Sequence, residues 1–582
     1  MKGKKILATL LALSVVSSSA LVGCGDKKDS GSGNSNVNTS QGNRPEMDDK
    51  QELTIVGGEP KTLDTTVMSN ATDSEAVGPI SEGLTRVVGQ NNGPDKIEPG
   101  VAETWESNED ATEWTFHLRK DAKWQDGSPV TAQDFIFSLR RLIDPRTASE
   151  YSTFLNPFVK GAAEVTKMTG KSDEEIDAAL KNFGVTAPDD YTVKFDLKAP
   201  VPFFLQLSYF HSLKPVQKAA IEKYGDSYGT EADKTVANGP FILTEWVHNG
   251  KMVYEKNPNY WDKDNVYLEK IVSLKSADKN STMTALFNGE IDRANVTDPQ
   301  WIQKLDSTGQ FDVVSKPQYD SESLVFNPKS GPMKNKKIRQ AFTVGFSRES
   351  YSKDLYNGLD IQGYEFVPEV VAIGDKSFQE MVGKPQYTKQ LINDIKDPKA
   401  LLIEGMKEEG LGDDPSKLKV SITMRGDGEF SKKQGEWFQN KWKETLGVNV
   451  EVILIQYQIM FENMKKGDYD IAVSGWVADY DDPVNFLEIF QSEEYGKYHS
   501  YIGWNNKEFD KLVNEANVET DSKKRADLLT KAEKILLYDD AITSPFQHHV
   551  TNTYQKKYIK NFNIPGLSAT SMDYKGVYIQ GR

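Results

Sequence analysis

A single cysteine, Cys24, is the feature that most limits how this chain of 582 residues can fold. One thiol cannot close a disulfide within the chain, and cysteine-based metal sites need several thiols. The fold must therefore be held together by its own apolar core. Hydrophobic residues make up 37% of the sequence and aromatic residues 10%. A chain of this length has room for several domains or for one large body with more than one lobe.

Cys24 also ends a segment with the composition of a secretory signal peptide. Met1 to Lys5 carry three lysines, an apolar stretch runs from Ile6 to about Val16, and small residues lead to the cysteine. The apolar stretch is too short for a membrane span, and it has the basic start that signals share. We therefore predict a signal peptide over residues 1–23.

The ending Leu21-Val22-Gly23-Cys24 resembles the lipobox of bacterial lipoproteins. The resemblance implies that the signal is cut before Cys24 and that its thiol is diacylated, which makes Cys24 the predicted lipidation site. Two acyl chains suffice for stable membrane anchoring, whereas one is marginal. A plain secretory signal with an incidental cysteine is the alternative.

Residues 24–50 have the composition of a flexible tether. The stretch Ser30–Ser40 consists almost entirely of serine, glycine and asparagine, and it has almost nothing to bury. The folded part is predicted to begin near Leu53–Gly57, which has a short strand pattern.

The rest of the chain mixes predicted strands and helices without an internal repeat. Alternating apolar residues predict a strand at Trp114–Leu118, and Thr131 is the expected N-cap of a helix. Residues 419–453 form a strand, helix and strand pattern, the unit that builds parallel sheets. Amphipathic helices are also predicted over Lys337–Phe346 and Lys523–Leu537. The predicted fold class is mixed α/β.

The charge balance argues against some partners. A formal net charge of −16 makes nucleic acid an unfavourable partner, because phosphate binding depends on clustered lysine and arginine. No segment after the signal reaches 18 consecutive apolar residues, so no membrane span is predicted there. Membrane contact is predicted through the lipid anchor only.

Motifs for catalysis or metal binding are weak in this sequence. Gly225–Gly229 matches the G-x-S-x-G pattern, but a predicted helix at Val216–Tyr224 precedes it, where a nucleophile elbow needs a strand. His548 and His549 are adjacent, so on a strand they point to opposite faces and do not form a metal site. We predict no catalytic residues, no metal and no cofactor.

The segment Asp470–Pro483 carries the most specific binding signal. Ile471–Val473 read as a buried strand, Gly475 permits close backbone approach, and Asp479 sits where the strand opens toward a cleft. A carboxylate there suits a cationic ligand group such as an α-ammonium, because charge-assisted hydrogen bonds are about twice as strong as neutral ones. Two further aspartates precede the proline, so an acidic turn without a binding role is an equal alternative.

Several longer blocks follow one another in order along the chain: Glu82–Arg86, Pro99–Trp105, Trp114–Phe135, Asn238–Leu243, Asn257–Trp261 and Trp442–Val450. With these blocks and the Asp470–Pro483 segment, the chain from about Leu53 to its end resembles the extracellular solute-binding proteins of family 5. The resemblance is to the oligopeptide-binding proteins of ABC importers in particular.

This resemblance implies a two-lobed clamshell, like that of the periplasmic binding proteins, with three domains and a hinge between the lobes. The implied core domain of lobe 1 combines residues 51–88, 231–297 and 546–582, and residues 89–230 form its accessory domain. Residues 298–545 form lobe 2. The implied ligand is an extended oligopeptide, held between the lobes by pairing its backbone with strand edges.

The resemblance also implies site residues. Asp479 matches the carboxylate that holds the α-ammonium group of the peptide. The other implied peptide-binding residues are Gly475, Trp476 and Val477 on one wall, Ser69, Asn70 and Ala71 on the opposite wall, the aromatic Tyr151 and Tyr457, and Lys329 for the C-terminal carboxylate.

Two positions depart from the pattern of better-known family members. Val473 stands where an arginine is expected, and Ser431 stands where a histidine associated with the peptide C-terminus is expected. Fewer cations would therefore face the carboxylate end of a peptide. The hypothesis is that the protein binds longer peptides or tolerates modified termini, and affinities across peptide lengths would test it.

The implied function is that of a monomeric, non-enzymatic lipoprotein on the extracytoplasmic face of the cell membrane. It would capture extracellular oligopeptides and deliver them to the permease subunits of an ABC transporter. The alternatives are the same fold with another cargo, such as a peptide pheromone, a dipeptide or a nickel chelate, or a surface sensor or adhesin.

Overall fold

The structure is a computed structural model that describes residues 45–90, 93–276, 278–329, 331–495, 499, 502–567 and 572–582. Cys24, the predicted signal peptide and the predicted tether up to residue 44 lie outside the described residues. Residues Met47–Arg582 cluster as one unit.

Strands recur along the whole described chain. In chain order they are β1 (Glu52–Gly57), β2 (Thr85–Val88), β3 (Lys96–Pro99), β4 (Ala102–Ser107), β5 (Glu113–Leu118), β6 (Val185–Asp189), β7 (Thr192–Asp196), β8 (Phe241–Val247), β9 (Lys251–Lys256), β10 (Lys270–Lys275), β11 (Arg293–Asn295), β12 (Phe311–Pro317), β13 (Asp320–Phe326), β14 (Ile361–Gln362), β15 (Ala372–Ile373), β16 (Lys376–Ser377), β17 (Ser421–Arg425), β18 (Glu451–Ile455), β19 (Ile471–Val477), β20 (Thr543–His548), β21 (Val550–Lys556), β22 (Ile559–Lys560) and β23 (Tyr578–Ile579).

Helices lie between the strands. In chain order they are α1 (Ala71–Val77), α2 (Ala132–Ile143), α3 (Ala162–Thr166), α4 (Asp173–Leu180), α5 (Lys218–Tyr224), α6 (Lys279–Asn288), α7 (Pro299–Asp306), α8 (Lys336–Val344), α9 (Arg348–Tyr356), α10 (Phe378–Met381), α11 (Tyr387–Asp394), α12 (Pro398–Glu408), α13 (Glu429–Leu446), α14 (Tyr457–Lys466), α15 (Pro483–Leu487), α16 (Lys507–Val518) and α17 (Ser522–Lys534). Within the described ranges, none of them has the length and apolar character needed to cross a membrane.

The local predictions from sequence are confirmed. The strand predicted at Trp114–Leu118 is β5, and the helix predicted after Thr131 is α2. A carboxylate oxygen of Asp134 accepts a hydrogen bond from the backbone N–H of Thr131 (2.8 Å), which completes the helix start. The strand, helix and strand pattern over residues 419–453 corresponds to β17, α13 and β18, and the two strands pair in parallel.

The strands form four main sheets. One contains β1, β10, β9 and β8, a second contains β4, β5, β7 and β6, and a third contains β11, β21 and β12. The fourth is six-stranded, in the order β14-β20-β13-β19-β17-β18. The first and second sheets lie in the segments predicted as the core and accessory domains of lobe 1. The six-stranded sheet lies in the segment predicted as lobe 2, and the division into three domains stays a prediction.

The chain changes sheets at two adjacent points. Strand β12 belongs to the three-stranded sheet and β13 to the six-stranded sheet, so one crossover lies at Gln318 and Tyr319. Strands β20 and β21 place the other at His549. The N–H of Gln318 donates to the carbonyl of His549 (2.9 Å), so the crossovers run side by side. Both crossovers lie later in the sequence than the predicted boundaries at 298 and 545. Strand β12, after residue 298, still belongs to the three-stranded sheet, and β20 continues the six-stranded sheet to His548.

The six-stranded sheet region contacts the segment 89–230 through aromatic rings and buried polar groups. The rings of Phe203 and Tyr480 stack with centroids 5.4 Å apart. The backbone N–H of Asp481 donates to the hydroxyl of Tyr209 (3.3 Å). These contacts place the turn after β19 against the predicted accessory domain.

Candidate functional site

Strand β19 is paired along its whole length on one side but only at its start on the other. On the first side it pairs with β13 in an antiparallel register from Ile471 to Val477. On the second side, β17 pairs only with Ile471 and Ala472. Within the described ranges, no strand pairs with the rest of that side, which we call the open edge of β19. Unpaired backbone N–H and C=O groups at such an edge are a template for an added strand.

The antiparallel register identifies the residues that face the open edge. The backbone N–H of Ala478 donates to the carbonyl of Tyr319 (2.9 Å). Hydrogen-bonded pairs alternate along antiparallel strands, so Trp476 also directs its backbone groups toward β13. Gly475 and Val477 therefore direct theirs toward the open edge. A Cβ on Gly475 would lie 2.1 Å from a backbone oxygen of β13, so a larger residue does not fit there.

Asn485 fixes the end of β19 and the turn that follows. Its side-chain oxygen, on α15, accepts a hydrogen bond from the indole N–H of Trp476 (2.8 Å). The same oxygen accepts from the backbone N–H of Asp479 (3.0 Å). Asn485 is buried, so water does not compete for these bonds. One amide group therefore positions both the tryptophan ring and Asp479.

The three aspartates of this turn have different roles. Asp482 forms two hydrogen bonds of 2.7 Å with the guanidinium of Arg525, and both side chains are buried. Asp481 accepts from the backbone N–H of Ala372 (2.7 Å). Asp479 is the exception, because its carboxylate makes no hydrogen bond or ion pair with any described residue. The acidic turn is therefore structural at Asp481 and Asp482, and it leaves one carboxylate available.

The surroundings of Asp479 favour a cationic ligand group. Burial raises the pKa of its carboxyl to about 6, and the charge of Glu488 adds to the increase. Tyr151, from the segment 89–230, lies close enough that Asp479 raises the pKa of the tyrosine, although burial raises it more. The Tyr151 ring packs edge-on against Phe210, with centroids 5.1 Å apart. An ammonium group here would meet a carboxylate without a counter-ion and an aromatic wall.

Other polar groups lie at the same edge of the six-stranded sheet. Strands β17, β18 and β19 are parallel, so their carboxyl ends share one edge, and ligands bind outside such ends in open α/β sheets. Tyr457 follows β18 and stacks on Phe461, with centroids 6.2 Å apart. Arg425 is exposed at the end of β17, and its guanidinium has no hydrogen bond or ion pair with a described residue.

His549 adds a second cation at this edge. Its Nδ1 lies 2.5 Å from an oxygen of Asp320, and its Nε2 lies 3.3 Å from an oxygen of Glu322. Burial alone would lower the pKa of His549. The hydrogen bond and charge of Asp320, together with Glu322, outweigh it and raise the pKa to about 9. His549 is therefore protonated at neutral pH, and its charge is balanced by its two neighbours.

The described residues offer little for metal binding or nucleophilic catalysis. They contain no group of three or more histidine, cysteine, aspartate or glutamate residues arranged to hold a metal ion. The G-x-S-x-G match at Gly225–Gly229 begins with a 3₁₀ turn directly after α5. A helix, not a strand, thus precedes the serine, as the sequence predicted, and this is not the backbone of a nucleophile elbow.

Comparison with known protein families shows the family to which the chain belongs. The family model described as bacterial extracellular solute-binding proteins, family 5 Middle, matches residues 96–498, well over half of the sequence. The chain belongs to this family. The resemblance stated from the sequence blocks is thereby confirmed, and the family places the protein outside the cytoplasm.

Family 5 relatives match nearly the whole chain. The oligopeptide-binding protein OppA of Bacillus subtilis is 32% identical over 535 residues, covering 91% of this chain and 93% of its own. The dipeptide-binding protein DppE of the same organism is 32% identical over 520 residues, covering 89% of each chain.

Solved structures agree on the fold. The Haemophilus influenzae OppA complex with the peptide RPPGFSPFR gives a TM-score of 0.69 at 28% identity, covering 92% of this chain and 100% of the other. An oligopeptide ABC transporter substrate-binding domain from Bacillus anthracis gives a TM-score of 0.67 at 30% identity with the same coverage. The predicted α/β clamshell is confirmed.

The structure distributes the remaining predicted residues of this family 5 protein unevenly. Lys329 follows β13 at the end that pairs with the start of β19, and it forms an ion pair with Glu493. Asp479 follows the other end of β19. A seven-residue strand spans roughly 20 Å, so Lys329 lies at the opposite edge of the sheet from Asp479. The structure does not bring Lys329 to the candidate site.

The predicted opposite wall lies at the start of α1. Asn70 has an extended backbone, with φ −138° and ψ 162°, and is the N-cap of the helix. Its side-chain oxygen accepts from the backbone N–H of Asp73 (3.0 Å). Ser69 and Ala71 flank it, and the segment is not part of a strand. An extended residue before a helix presents backbone groups without being part of a sheet.

Sequence reasoning missed Asn485 and Arg425. Asn485 follows Pro483 in a short helix, and nothing in the local pattern shows that its side chain reaches back to Trp476. Arg425 belongs to an Arg-Gly-Asp tripeptide that carries little information by itself. Its position at the end of the first strand of the predicted parallel unit was the signal that could have identified it.

A pair of substitutions tests the different roles of the aspartates. We expect Asp482→Ala to lower the free energy of unfolding by about 3–5 kcal/mol, because Arg525 would stay buried without its partner. Asp479→Ala should leave it unchanged or raise it, because the variant removes a partly buried carboxylate without a counter-ion. Urea denaturation of both variants at neutral pH measures the difference.

The pH dependence gives the control for this prediction. The pKa of Asp479 is raised in the folded protein, so its ionised form disfavours folding, and this effect is absent when the group is protonated. Any gain in stability from Asp479→Ala should be larger at about pH 8 than at about pH 4. Equal losses for the Asp479 and Asp482 variants would contradict the assignment.

Proposed function

We propose that this protein is the substrate-binding protein of an ABC transporter, which captures extracellular oligopeptides and delivers them to a membrane permease. One observation carries the proposal: β19 has an open edge, and a carboxylate without a counter-ion follows two residues after the strand. Family membership and the names of the relatives support it. The function is binding rather than catalysis.

The open edge favours recognition of the peptide main chain. Gly475 and Val477 direct backbone groups to this edge, so an extended peptide adds to β19 as a further strand. Main-chain hydrogen bonds are independent of side-chain identity, so affinity does not require a particular sequence. Peptide side chains would occupy hydrated pockets in which water supplies the contacts.

Asp479 gives the peptide its direction. With the α-ammonium group bound to Asp479, the peptide runs antiparallel to β19, from the end of the strand back toward its start. Tyr151 closes this end from the segment 89–230, and the extended backbone around Asn70 offers hydrogen-bonding groups from the lobe 1 side.

Arg425 is placed to meet the other end of the peptide. The register of β17, with Thr423 opposite Ala472, puts Arg425 near the level of Ser474. From there to Asp479 is a strand distance of roughly 17 Å, which an extended peptide of about four or five residues spans. This supports the hypothesis of a longer cargo, and it replaces the expected arginine at position 473 with a cation from the neighbouring strand.

Capture follows from closure of the lobes around the hinge. A peptide that hydrogen-bonds to both walls stabilises only the arrangement in which both walls reach it, which is the differential affinity a population shift requires. The paired crossovers at Gln318 and His549 are the segments where the required rotation would occur. The closed surface is then available to the permease.

Other cargoes remain second candidates because the relatives differ in theirs. Beside oligopeptide-binding proteins, their names include a dipeptide-binding protein, a murein peptide-binding protein and a probable deoxycholate-binding protein. A pheromone receptor is among the solved structures. Asp479 favours ligands with a cationic amine over deoxycholate. Permease and ATPase genes beside the gene for this protein would favour import over a sensor or adhesin role.

Membrane attachment through Cys24 is part of the same proposal. The lipobox-like ending supplies the thiol, and the tether over residues 24–50 would hold the folded body away from the membrane surface. The protein would act as a monomer on the extracytoplasmic face.

Peptide affinity tests the role of Asp479. We expect Asp479→Ala to weaken binding of a free-amine tetrapeptide at least tenfold in calorimetry, because the ammonium group would lose its counter-charge. N-acetylation of the peptide should weaken binding to the wild type by a similar factor and should change little for the variant. Asp468→Ala is the matched control, because Asp468 is exposed before the opposite end of β19.

The pH profile gives a second readout for Asp479. Ligand binding needs the ionised carboxylate, and the pKa of the free site is about 6. Affinity should therefore change little between about pH 6 and about pH 7.5, where the peptide α-amino group keeps its proton, and fall by about tenfold per pH unit below the pKa of Asp479. Asp479→Asn should abolish the decline. A flat wild-type profile between pH 7 and about pH 5 would exclude Asp479 from the ammonium site.

Amidated peptides test the role of Arg425. We expect C-terminal amidation of a tetrapeptide to weaken binding to the wild type by about threefold to tenfold, because the exposed Arg425 loses a charged partner. Arg425→Ala should bind the free acid and the amide equally. Lys329→Ala, on the opposite edge of the sheet, should retain the discrimination. If the Lys329 variant loses it instead, the carboxylate partner is Lys329.

A further inference from the structure

A cavity of about 170 Å³, lined by apolar residues and a few polar side chains, lies in lobe 1. It is enclosed by the sheet that contains β1, β10 and β9, by α1, by β11 and β21, and by the segment after residue 571. The side chains that give it chemical character are those of Thr72, Glu75, Ser273, Arg293, Asn295 and Tyr574. No lining residue belongs to the six-stranded sheet that carries the open edge of β19, although Thr72 and Glu75 follow closely after the predicted wall at Ser69–Ala71.

Arg293 lines this cavity with unused hydrogen-bond donors. Its side chain is buried, with 6% of the residue surface exposed. An arginine has five N–H donors, yet the only hydrogen bond of this guanidinium to a described side chain is a weak one to the sulfur of Met572 (3.7 Å). The ring of Phe562 lies 4.0 Å from the guanidinium carbon. No described carboxylate lies within 4 Å of it.

The other buried arginines bind oxygen acceptors. Arg348 donates to the carbonyls of Gly363 and Pro545, at 2.8 Å each. Arg119 donates to the carbonyl of Gly100 (2.8 Å). Arg293 is thus unusual among the buried arginines of the described chain, because it has no oxygen acceptor there. Burial lowers its pKa to about 10, so it still carries a full charge at neutral pH. A buried charge with unsatisfied donors is unfavourable unless a partner is supplied.

Glu75 places a negative charge in the same cavity. It lies on α1, and its carboxylate has no hydrogen bond or ion pair with a described residue. Burial raises the pKa of Glu75, whereas the attraction of Arg293 lowers it by a smaller amount. Glu75 and Arg293 therefore interact electrostatically, but they do not form an ion pair. Space remains between a cation and an anion that both lack direct partners.

We propose that the lobe 1 cavity binds a small zwitterion of the α-amino acid class. The carboxylate of the ligand binds the guanidinium of Arg293, whose planar donors match a carboxylate in pairs. The ammonium group of the ligand binds the carboxylate of Glu75. A cavity of about 170 Å³ holds a small amino acid but not an extended oligopeptide. The site operates independently of the peptide at the open edge of β19.

Calorimetry with glycine as the probe tests this site on the mature protein. The titration is made on the wild type saturated with tetraalanine and on Asp479→Ala, so that glycine binding at the peptide site does not contribute. We expect glycine to bind with one site in both samples. Acetate and methylammonium, each with one of the two charges, should bind at least tenfold more weakly than glycine.

Substitutions of Arg293 and Glu75 test whether these two residues bind the charged groups of glycine. Arg293→Met and Glu75→Gln should each weaken glycine binding at least tenfold. Arg119→Met is the matched control, because Arg119 is also buried over an aromatic ring (3.3 Å to Trp261) but does not line the cavity. It should bind glycine like the wild type. If Arg293→Met does not fold, Glu75→Gln and the comparison with acetate decide, since the Glu75 carboxylate makes no hydrogen bond to a described residue and its neutral variant keeps the side-chain shape.

Three results would overturn the proposal. They are no glycine binding to the wild type saturated with tetraalanine, acetate binding as tightly as glycine, and unchanged glycine binding in Glu75→Gln. None of them bears on the peptide site, whose failure would appear as unchanged tetrapeptide affinity in Asp479→Ala. The two sites are therefore tested separately.

Discussion

The antiparallel pairing of β13 with β19 is the contact on which the candidate site depends. It occupies one side of β19 over seven residues, whereas β17 leaves the other side after Ala472. The backbone groups on the other edge of β19 beyond Ala472 therefore have no strand partner within the described ranges. The same pairing sets which backbone groups face outward, because hydrogen-bonded residues alternate along antiparallel strands. The proposed recognition of peptides through their main chain rests on this arrangement.

The distribution of buried charge then separates structural residues from binding residues. Asp482 has Arg525, Asp481 has backbone and hydroxyl donors, and each contributes to the packing of the turn. Asp479, which is half-buried, and Arg293, which is buried, lack such partners in the described chain. A folded protein retains an uncompensated buried charge at a cost, so these are the places where a ligand is expected. Asp479 follows a strand of the six-stranded sheet, whereas Arg293 lies on the three-stranded sheet, and the ligands proposed for the two positions differ in size.

Sequence reasoning predicted the local elements well. The strand at Trp114–Leu118, the helix after Thr131 and the parallel unit over residues 419–453 follow from apolar periodicity and capping, which act over a few residues. It also located Asp479 at the end of a buried strand and left its role open against an acidic turn. Lys329 came from a resemblance alone, and the antiparallel direction of β13 carries it to the other edge of the sheet.

What the sequence determined by itself was the α/β class, the family, the position of the exposed strand end and the absence of disulfides, since only Cys24 carries a thiol. The tertiary structure decided which aspartate of the turn is paired, because Arg525 lies 43 residues from Asp482 in the chain. It also decided that one side of β19 is open, that Arg425 lies at the same edge as Asp479, and that Arg293 faces a cavity. These facts depend on contacts between distant segments, and short-range patterns carry no information about them.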